Sequence, residues 1–526
     1  MVSLCLLGLS SCFDMDKYPE GELSSVNSFT STTEITKYLN QFYESTLKIN
    51  DKDVANSAIK VQSNSIGNPT GIAFGDLNSD NMQSNVIDTR LAGETTLSSA
   101  VELTEYKHIR SLNFLINNLD NCEEIGPEME QCIGEAYFFR ACYYYRLFVN
   151  YGEVTWLTKV LDPIQEQMER PRNSRLEVAD SILADLDIAI EHLNTQTNSS
   201  TMRVHKDVAR ALKSEVALFE GTWLKYFKGS AFVPQGTNWP GASKEYNANY
   251  QYPLGNIDEE ITWFLEQAMK ASYEVAEKYK GKLTQNTGRL QQDANEPINP
   301  YYEMFAQEDL SAVPEVLLWR QYSQALSGHN TCLNAAMANA SIGVTRGFVQ
   351  NFLMNDGRPV YAHTSSYAEA GGDYKGDQNI ADVRTNRDNR LTLFLKEPNQ
   401  KNVLYFEYTQ TSGGWEVEPL PQILNNDGLR HATTGYLFRK GASFHNSMRV
   451  DSKNSTACPS YRATEALLNY MEASYEHTGI LDASAREYWM LLRQRAYING
   501  PLENTINNTI MEKEAENENV YAADAQ

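Results

Sequence analysis

The stretch from Gly134 to Phe148 constrains this chain more than any other. It reads as one helix beginning near Glu128, with Tyr137, Phe138, Phe139, Tyr143, Tyr144 and Tyr145 spread over nearly all of its sides. A surface helix keeps one wet face, whereas a helix apolar all round is enclosed by neighbours. Gly134, Ala136 and Ala141 let adjacent helices approach closely, and the rings fill the wider gaps. Arg140 lies inside this apolar run and needs a partner once buried. Gly152 is placed to end the helix.

Other helical patterns surround it. Thr33 to Leu47 sets Ile35, Leu39, Phe42, Tyr43 and Leu47 on one face. Leu97 to Leu119 pairs with the aromatic helix across Gly126 and Pro127. Ser174 and Glu177 form a capping box that opens a helix running to about Leu193. Residues 206–227 and 258–280 follow, and Arg462–His477 with Asp482–Tyr497 make a final pair. Glu465 and Glu472 are expected to pair with Arg493 or Arg495. Antiparallel helices joined by short loops, with Ala and Gly at close contacts, point to an all-α, tetratricopeptide-like helix-pair scaffold over about 33–280 and 460–497. Residues 50–96 show little periodicity. Residues 281–458 are rich in Gly, Asn, Pro and Asp, the mark of loop-rich functional surface mounted on a scaffold.

Composition narrows the partners. The net charge of −23 over 526 residues excludes nucleic acid, which demands clustered Lys and Arg, and electrostatic docking onto an anionic membrane. Thirty Tyr and seven Trp supply flat amphipathic rings suited to carbohydrate faces, although core packing accounts for most of them. Cys122, Cys132 and Cys142 fit as small buried hydrophobes. Cys12 differs: residues 1–11 are a short apolar run with small residues before it and polar sequence after it. That is the tail of a bacterial lipoprotein signal, with Cys12 the lipidated residue. The basic leader segment is missing, and the run is too short to span a bilayer.

Several motifs carry a resemblance. Glu135-Ala136-Tyr137-Phe138-Phe139-Arg140-Ala141-Cys142-Tyr143-Tyr144-Tyr145, followed by Tyr151-Gly152-Glu153-Val154, resembles the signature helix and turn of the SusD/RagB family of outer-membrane glycan-binding lipoproteins. Tyr106, Ile109, Arg110 and Asn113 are similar to that family's Tyr-x-x-Ile-Arg-x-x-Asn helix, with Glu102 where relatives often have Trp. Met354-Asn355-Asp356-Gly357-Arg358-Pro359, Asn386-Arg387-Asp388-Asn389-Arg390, Tyr461–Ala473 and Leu491–Ala496 resemble later family segments in the same order. The resemblance implies a SusD-like domain over 12–526 that captures oligosaccharide and passes it to a SusC-like TonB-dependent transporter, held at the cell-surface side of the outer membrane by a lipid anchor. Relatives continue past the last helix pair to an aromatic closing motif not found here, which implies a C-terminally truncated domain.

Signatures of catalysis are missing from the sequence: it has no HExxH, GxSxG, GxxxxGK[ST] or GxGxxG. Asp76, Asn78 and Asp80 begin like a calcium loop, but Asn81 and Ile87 stand where Gly and Glu are required. No cofactor or metal is expected. A glycan-active hydrolase and a peptide-binding repeat protein remain the alternatives. The candidate ligand-binding residues are the aromatics in loop sequence, which no helical pattern explains: Trp239, Tyr246, Tyr250, Tyr252, Tyr301, Tyr302, Trp319 and Tyr322. The segments 232–252 and 299–322 are expected to meet as one platform with Trp239 as the stacking ring, Trp319 being the one most suited to packing inward.

Overall fold

The computed structural model describes residues 28–47, 76–77, 79–84, 91–94, 96, 103–162, 164, 169–195, 202–337, 342–363, 374–407, 416–425 and 431–518. Cys12, and with it the expected lipidation site, lies outside them.

Among the described residues eight long helices form the scaffold: α1 (Thr32–Thr46), α2 (Glu105–Ile116), α3 (Pro127–Tyr151), α4 (Arg175–His192), α5 (Lys206–Phe227), α6 (Ile257–Tyr279), α7 (Ala463–Thr478) and α8 (Ala483–Arg495). Neighbours in the chain pack as neighbours in space, from α2 through α6. After the long excursion α7 returns against α5 and α6 and is followed by α8. This is the stacked helix-pair arrangement that the periodicities imply.

The aromatic helix is α3, and it is buried along both sides. Phe138, Phe139, Tyr143, Tyr144, Leu147 and Phe148 all belong to the main core. Pro127 occupies its first turn, where a missing N–H costs nothing. Gly152 takes φ +66° and donates its N–H to Phe148 O at 2.8 Å, closing the helix. A Cβ on Gly134 would lie 2.6 Å from Leu193 Cγ and 2.8 Å from its backbone N, so only glycine lets the end of α4 come this close. The capping box of α4 is present: Glu177 N–H donates to Ser174 Oγ at 3.3 Å and Ser174 N–H to Glu177 Oε2 at 2.9 Å. Cys122, Cys132 and Cys142 are buried free thiols.

Arg140 finds its partner on α4. Its guanidinium donates to both oxygens of Asp185 at 2.7 Å and to Asn113 Oδ1 on α2 at 2.9 Å. Asn113 in turn donates to Leu157 O at 2.8 Å. Three helices and the segment after α3 are thus tied through one buried cation.

The excursion between α6 and α7 carries short helices, and the described residues form two two-stranded antiparallel sheets, β1 (Met82–Ser84, ahead of α2) with β3 (Ile342–Val344) and β2 (Val316–Arg320) with β4 (Cys458–Arg462). The second sheet matters most. It lies between the scaffold and the excursion, and β4 runs directly into α7. Glu315, just before β2, receives Arg462 at 3.1 Å and Arg495 at 2.8 Å and also accepts from Thr464 Oγ1. The expected pairing of Glu465 and Glu472 with the α8 arginines is therefore corrected. Arg495 goes to Glu315, and Arg493 donates to Thr505 Oγ1 at 2.7 Å and Gly500 O at 2.9 Å. A strand arriving from far along the chain supplies the carboxylate, and helix-to-helix spacing does not register it.

Candidate functional site

The loop aromatics mostly turn inward. Trp239 is 7% exposed, its indole N–H donates to Glu153 Oε1 at 2.8 Å, and Tyr250 packs 5.4 Å from it. A Cβ on Gly241 would come within 2.2 Å of the same ring. Tyr252 is buried and donates to Pro234 O. Segment 232–252 is thereby folded onto the end of α3. Tyr301, Tyr302, Trp319 and Tyr322 are buried as well, with Tyr302 donating to Ala442 O at 2.6 Å. Tyr252 belongs to the main core, whereas Tyr301, Tyr302 and Trp319 belong to a separate cluster under the excursion, so the two segments do not build a shared platform. Tyr246, 48% exposed, is the exception. The reason is general: a loop ring with no periodic context is free to fill the gap between loop and scaffold, and burying its large apolar surface favours doing so.

The site the excursion does form is a cavity of about 1000 Å³ between its loops and the α7–α8 pair, at the upper end of the size range of ligand pockets. Its helical wall repeats at helix spacing: Thr464, Leu468 and Met471 on α7, Trp489 and Leu492 on α8, and Ala496 at the cap of α8. Trp489 is half-buried and Leu468 is 47% exposed, so this wall is uncovered apolar surface. Opposite stand Phe348 and Phe352, ring centroids 5.3 Å apart, and Tyr301 lies deeper, under the Arg495 guanidinium at 4.5 Å.

The family-like segments of the excursion converge on this wall. A turn closes from Met354 to Gly357, whose φ is +87°, and a Cβ on Gly357 would strike Arg493 Nη2 at 2.2 Å. Asn355 N–H donates to Asn386 O at 2.8 Å, and Asn389 N–H to Ala496 O at 2.8 Å. Asp388 caps the helix Asn389–Phe394, accepting from Arg390 N at 2.9 Å, and also holds the Arg390 side chain at 2.6 Å. The stretch Asp382–Arg390 is held by the Asp388–Arg390 ion pair, with the short helices Ile380–Arg384 and Asn389–Phe394 at its ends.

Lys440 closes the cavity. It occupies the second position of a turn in which Ala442 N–H donates to Arg439 O at 2.9 Å and Gly441 takes φ +88°, the arrangement that requires glycine third. Its Nζ sits 4.4 Å over the Phe305 ring. Burial, with repulsion from Arg462 and Arg390, pushes the ammonium down to about 7. The residue is nevertheless exposed to solvent. Both hold when the exposed surface faces a deep cavity ringed by protein. Burial also works against the charge of Glu315, but Arg495 and Arg462 outweigh it and hold that carboxyl below its usual range.

Sequence reasoning reached Tyr301 and missed Phe348, Phe352, Lys440 and Trp489. Trp489 and Leu492 are spaced as any helix face is, and nothing local distinguishes a face turned to a cavity from one turned to a partner helix. Among the described residues, no helix is long and apolar enough to cross a membrane.

Comparisons with known proteins agree with this architecture. The SusD family model matches residues 319–520, and a second, described as starch-binding and associating with the outer membrane, matches residues 16–218. SusD-like protein P2 of Formosa agariphila is 24% identical over 228 residues, 43% of this chain and 44% of that protein, less than half its length. Among solved structures, a SusD-like carbohydrate-binding protein from Bacteroides fragilis superposes with TM-score 0.61 at 17% identity, covering 93% of this chain and 84% of that one. A SusD superfamily protein from Parabacteroides distasonis does so with TM-score 0.53 at 16% identity, covering 94% and 88%. These likenesses carry the fold, and the two family models together take in most of the chain: the chain belongs to the SusD/RagB family.

Proposed function

We propose that this chain is a glycan-binding protein whose cavity between the excursion and α7–α8 receives an oligosaccharide. The observation that carries the reading is a cavity lined by half-exposed apolar and aromatic side chains, Trp489, Leu468, Phe348 and Phe352, together with guanidinium and ammonium groups. Sugar rings offer an apolar CH face and a rim of hydroxyls, so this pairing of surfaces suits them. The name of the Bacteroides fragilis neighbour, a carbohydrate-binding protein, supports the same class. Tyr301 in the cavity wall and exposed Tyr246 are the two loop aromatics that fit the reading. The rest of it follows from the family: one SusD-like domain, lipidated at Cys12, held at the outer membrane on the cell surface, passing its glycan to a SusC-like TonB-dependent transporter, with no bond broken on the way.

Affinity electrophoresis of the purified protein through gels containing different polysaccharides, run beside a reducing-sugar release assay on the same glycans, tests it. Retardation by at least one glycan with no new reducing ends is expected. Release of reducing ends would replace binding with hydrolysis, and free migration through every gel would remove the glycan.

A further inference from the structure

The chain as a whole carries 45 Lys and Arg against 68 Asp and Glu. The cavity inverts that ratio: Arg390, Lys440, Arg462, Arg493 and Arg495 line it, against Asp76, Asp388 and Glu465. Most of these cations already have partners. Asp388 holds Arg390, Glu315 holds Arg462 and Arg495, and backbone carbonyls take Arg493. Lys440 differs. Among the described residues no carboxylate comes within ion-pair distance of it, and its contacts are the faces of Phe305 at 4.4 Å and Phe394 at 5.7 Å. Those rings steady the ammonium without neutralising it. The strongest charges acting on it are Arg462 from β4, Arg390 from the helix Asn389–Phe394 and Arg495 from α8, which repel it, and Asp76, which attracts it; Asp388 and Glu315 stand behind those arginines as their own partners.

Among the described residues this ammonium has no counter-ion in contact, whereas the guanidiniums beside it each have one. We infer that the glycan received here bears an acidic group, a uronate carboxylate or a sulfate ester, which Lys440 anchors from the turn above the Trp489 wall. This rests on the glycan reading of the same cavity and names the ligand class. The anion would stabilise the charged ammonium, which burial and the arginines otherwise push down to about 7. Affinity for the anion is therefore full below that pH and declines as pH rises through it.

Calorimetric titration with three trisaccharides tests the inference: a trigalacturonate, a sulfated galactan trisaccharide and neutral galactotriose. One or both acidic sugars are expected to bind about tenfold tighter than the neutral one, as one charge-assisted hydrogen bond supplies. The arm that binds tells carboxylate from sulfate. Lys440→Met is expected to lose that advantage with little change in melting temperature, since the residue is exposed and Met keeps an apolar side chain against Phe305, and Lys440→Arg to keep it and to abolish the decline above about pH 7. Equal binding of acidic and neutral sugars, or undiminished acidic binding by Lys440→Met, overturns the inference and leaves the glycan reading standing. If polysaccharide gels fail to retard the protein and none of the three sugars binds, the glycan reading falls and this inference with it.

Discussion

Replacing Asp185 by alanine should destabilise the fold by about 3–5 kcal/mol. The carboxylate lies in the core between α3, α4 and α2, and both its oxygens accept from the Arg140 guanidinium at 2.7 Å. With it removed, Arg140 is left as a buried cation with Asn113 as its remaining side-chain acceptor, and the cost is that of a stranded charge rather than of one lost contact. The double variant Asp185→Ala, Arg140→Met should recover much of the loss, because it removes the charge and keeps apolar volume. Melting midpoints of the two variants measure this. A single variant within about 1 kcal/mol of the parent would mean that water reaches the pair.

Glu315→Ala should come close to it in size, about 3–5 kcal/mol, for a related reason. Glu315 is fully buried and is the common partner of Arg462 and Arg495, and it also accepts Thr284 N–H at 2.8 Å. Its loss leaves two guanidiniums facing each other beside the cavity and removes the tie between β2, the start of α7 and the end of α8. Glu315→Gln keeps the shape and some of the hydrogen bonds while deleting the charge, and should fall between parent and alanine. Thermal melting at low and high salt separates the two contributions, since salt relieves repulsion between the freed arginines but restores no hydrogen bond. Parent-like melting of both variants would show that the arginines repartner without cost.

The helices were legible because their signals are local. Ringed aromatics gave α3, Ser174 with Glu177 gave the start of α4, and Gly152 the end of α3. That Arg140 needs a partner followed from burial, but its identity, Asp185, depends on which helix lies opposite. The excursion was legible as family-like motifs in order, not as geometry. Gly357 matters because Arg493 lies against it, and Asn389 because it binds Ala496 O, contacts set by chain folding over more than a hundred residues. Loop aromatics misled for a physical reason. Trp239 buries large apolar area by turning inward, as Trp319 does from its apolar strand, whereas of the rings left at the cavity Trp489 sits on α8 and Phe348 on the short helix Arg346–Gln350, where a core role is the natural reading, and Phe352 lies just past that helix. Lys440 has no sequence signal beyond the glycine that follows it.

The claim that the cavity between the excursion and α7–α8 holds the glycan is tested most directly by titrating Trp489→Ala with a glycan that the parent protein retains. Truncating a stacking ring costs about 1–3 kcal/mol, taking base stacking as the nearest analogue. Since Trp489 is half-buried on the cavity wall, binding should weaken by about tenfold or more while melting changes little. Parent-like affinity in a folded Trp489→Ala protein would place the glycan elsewhere.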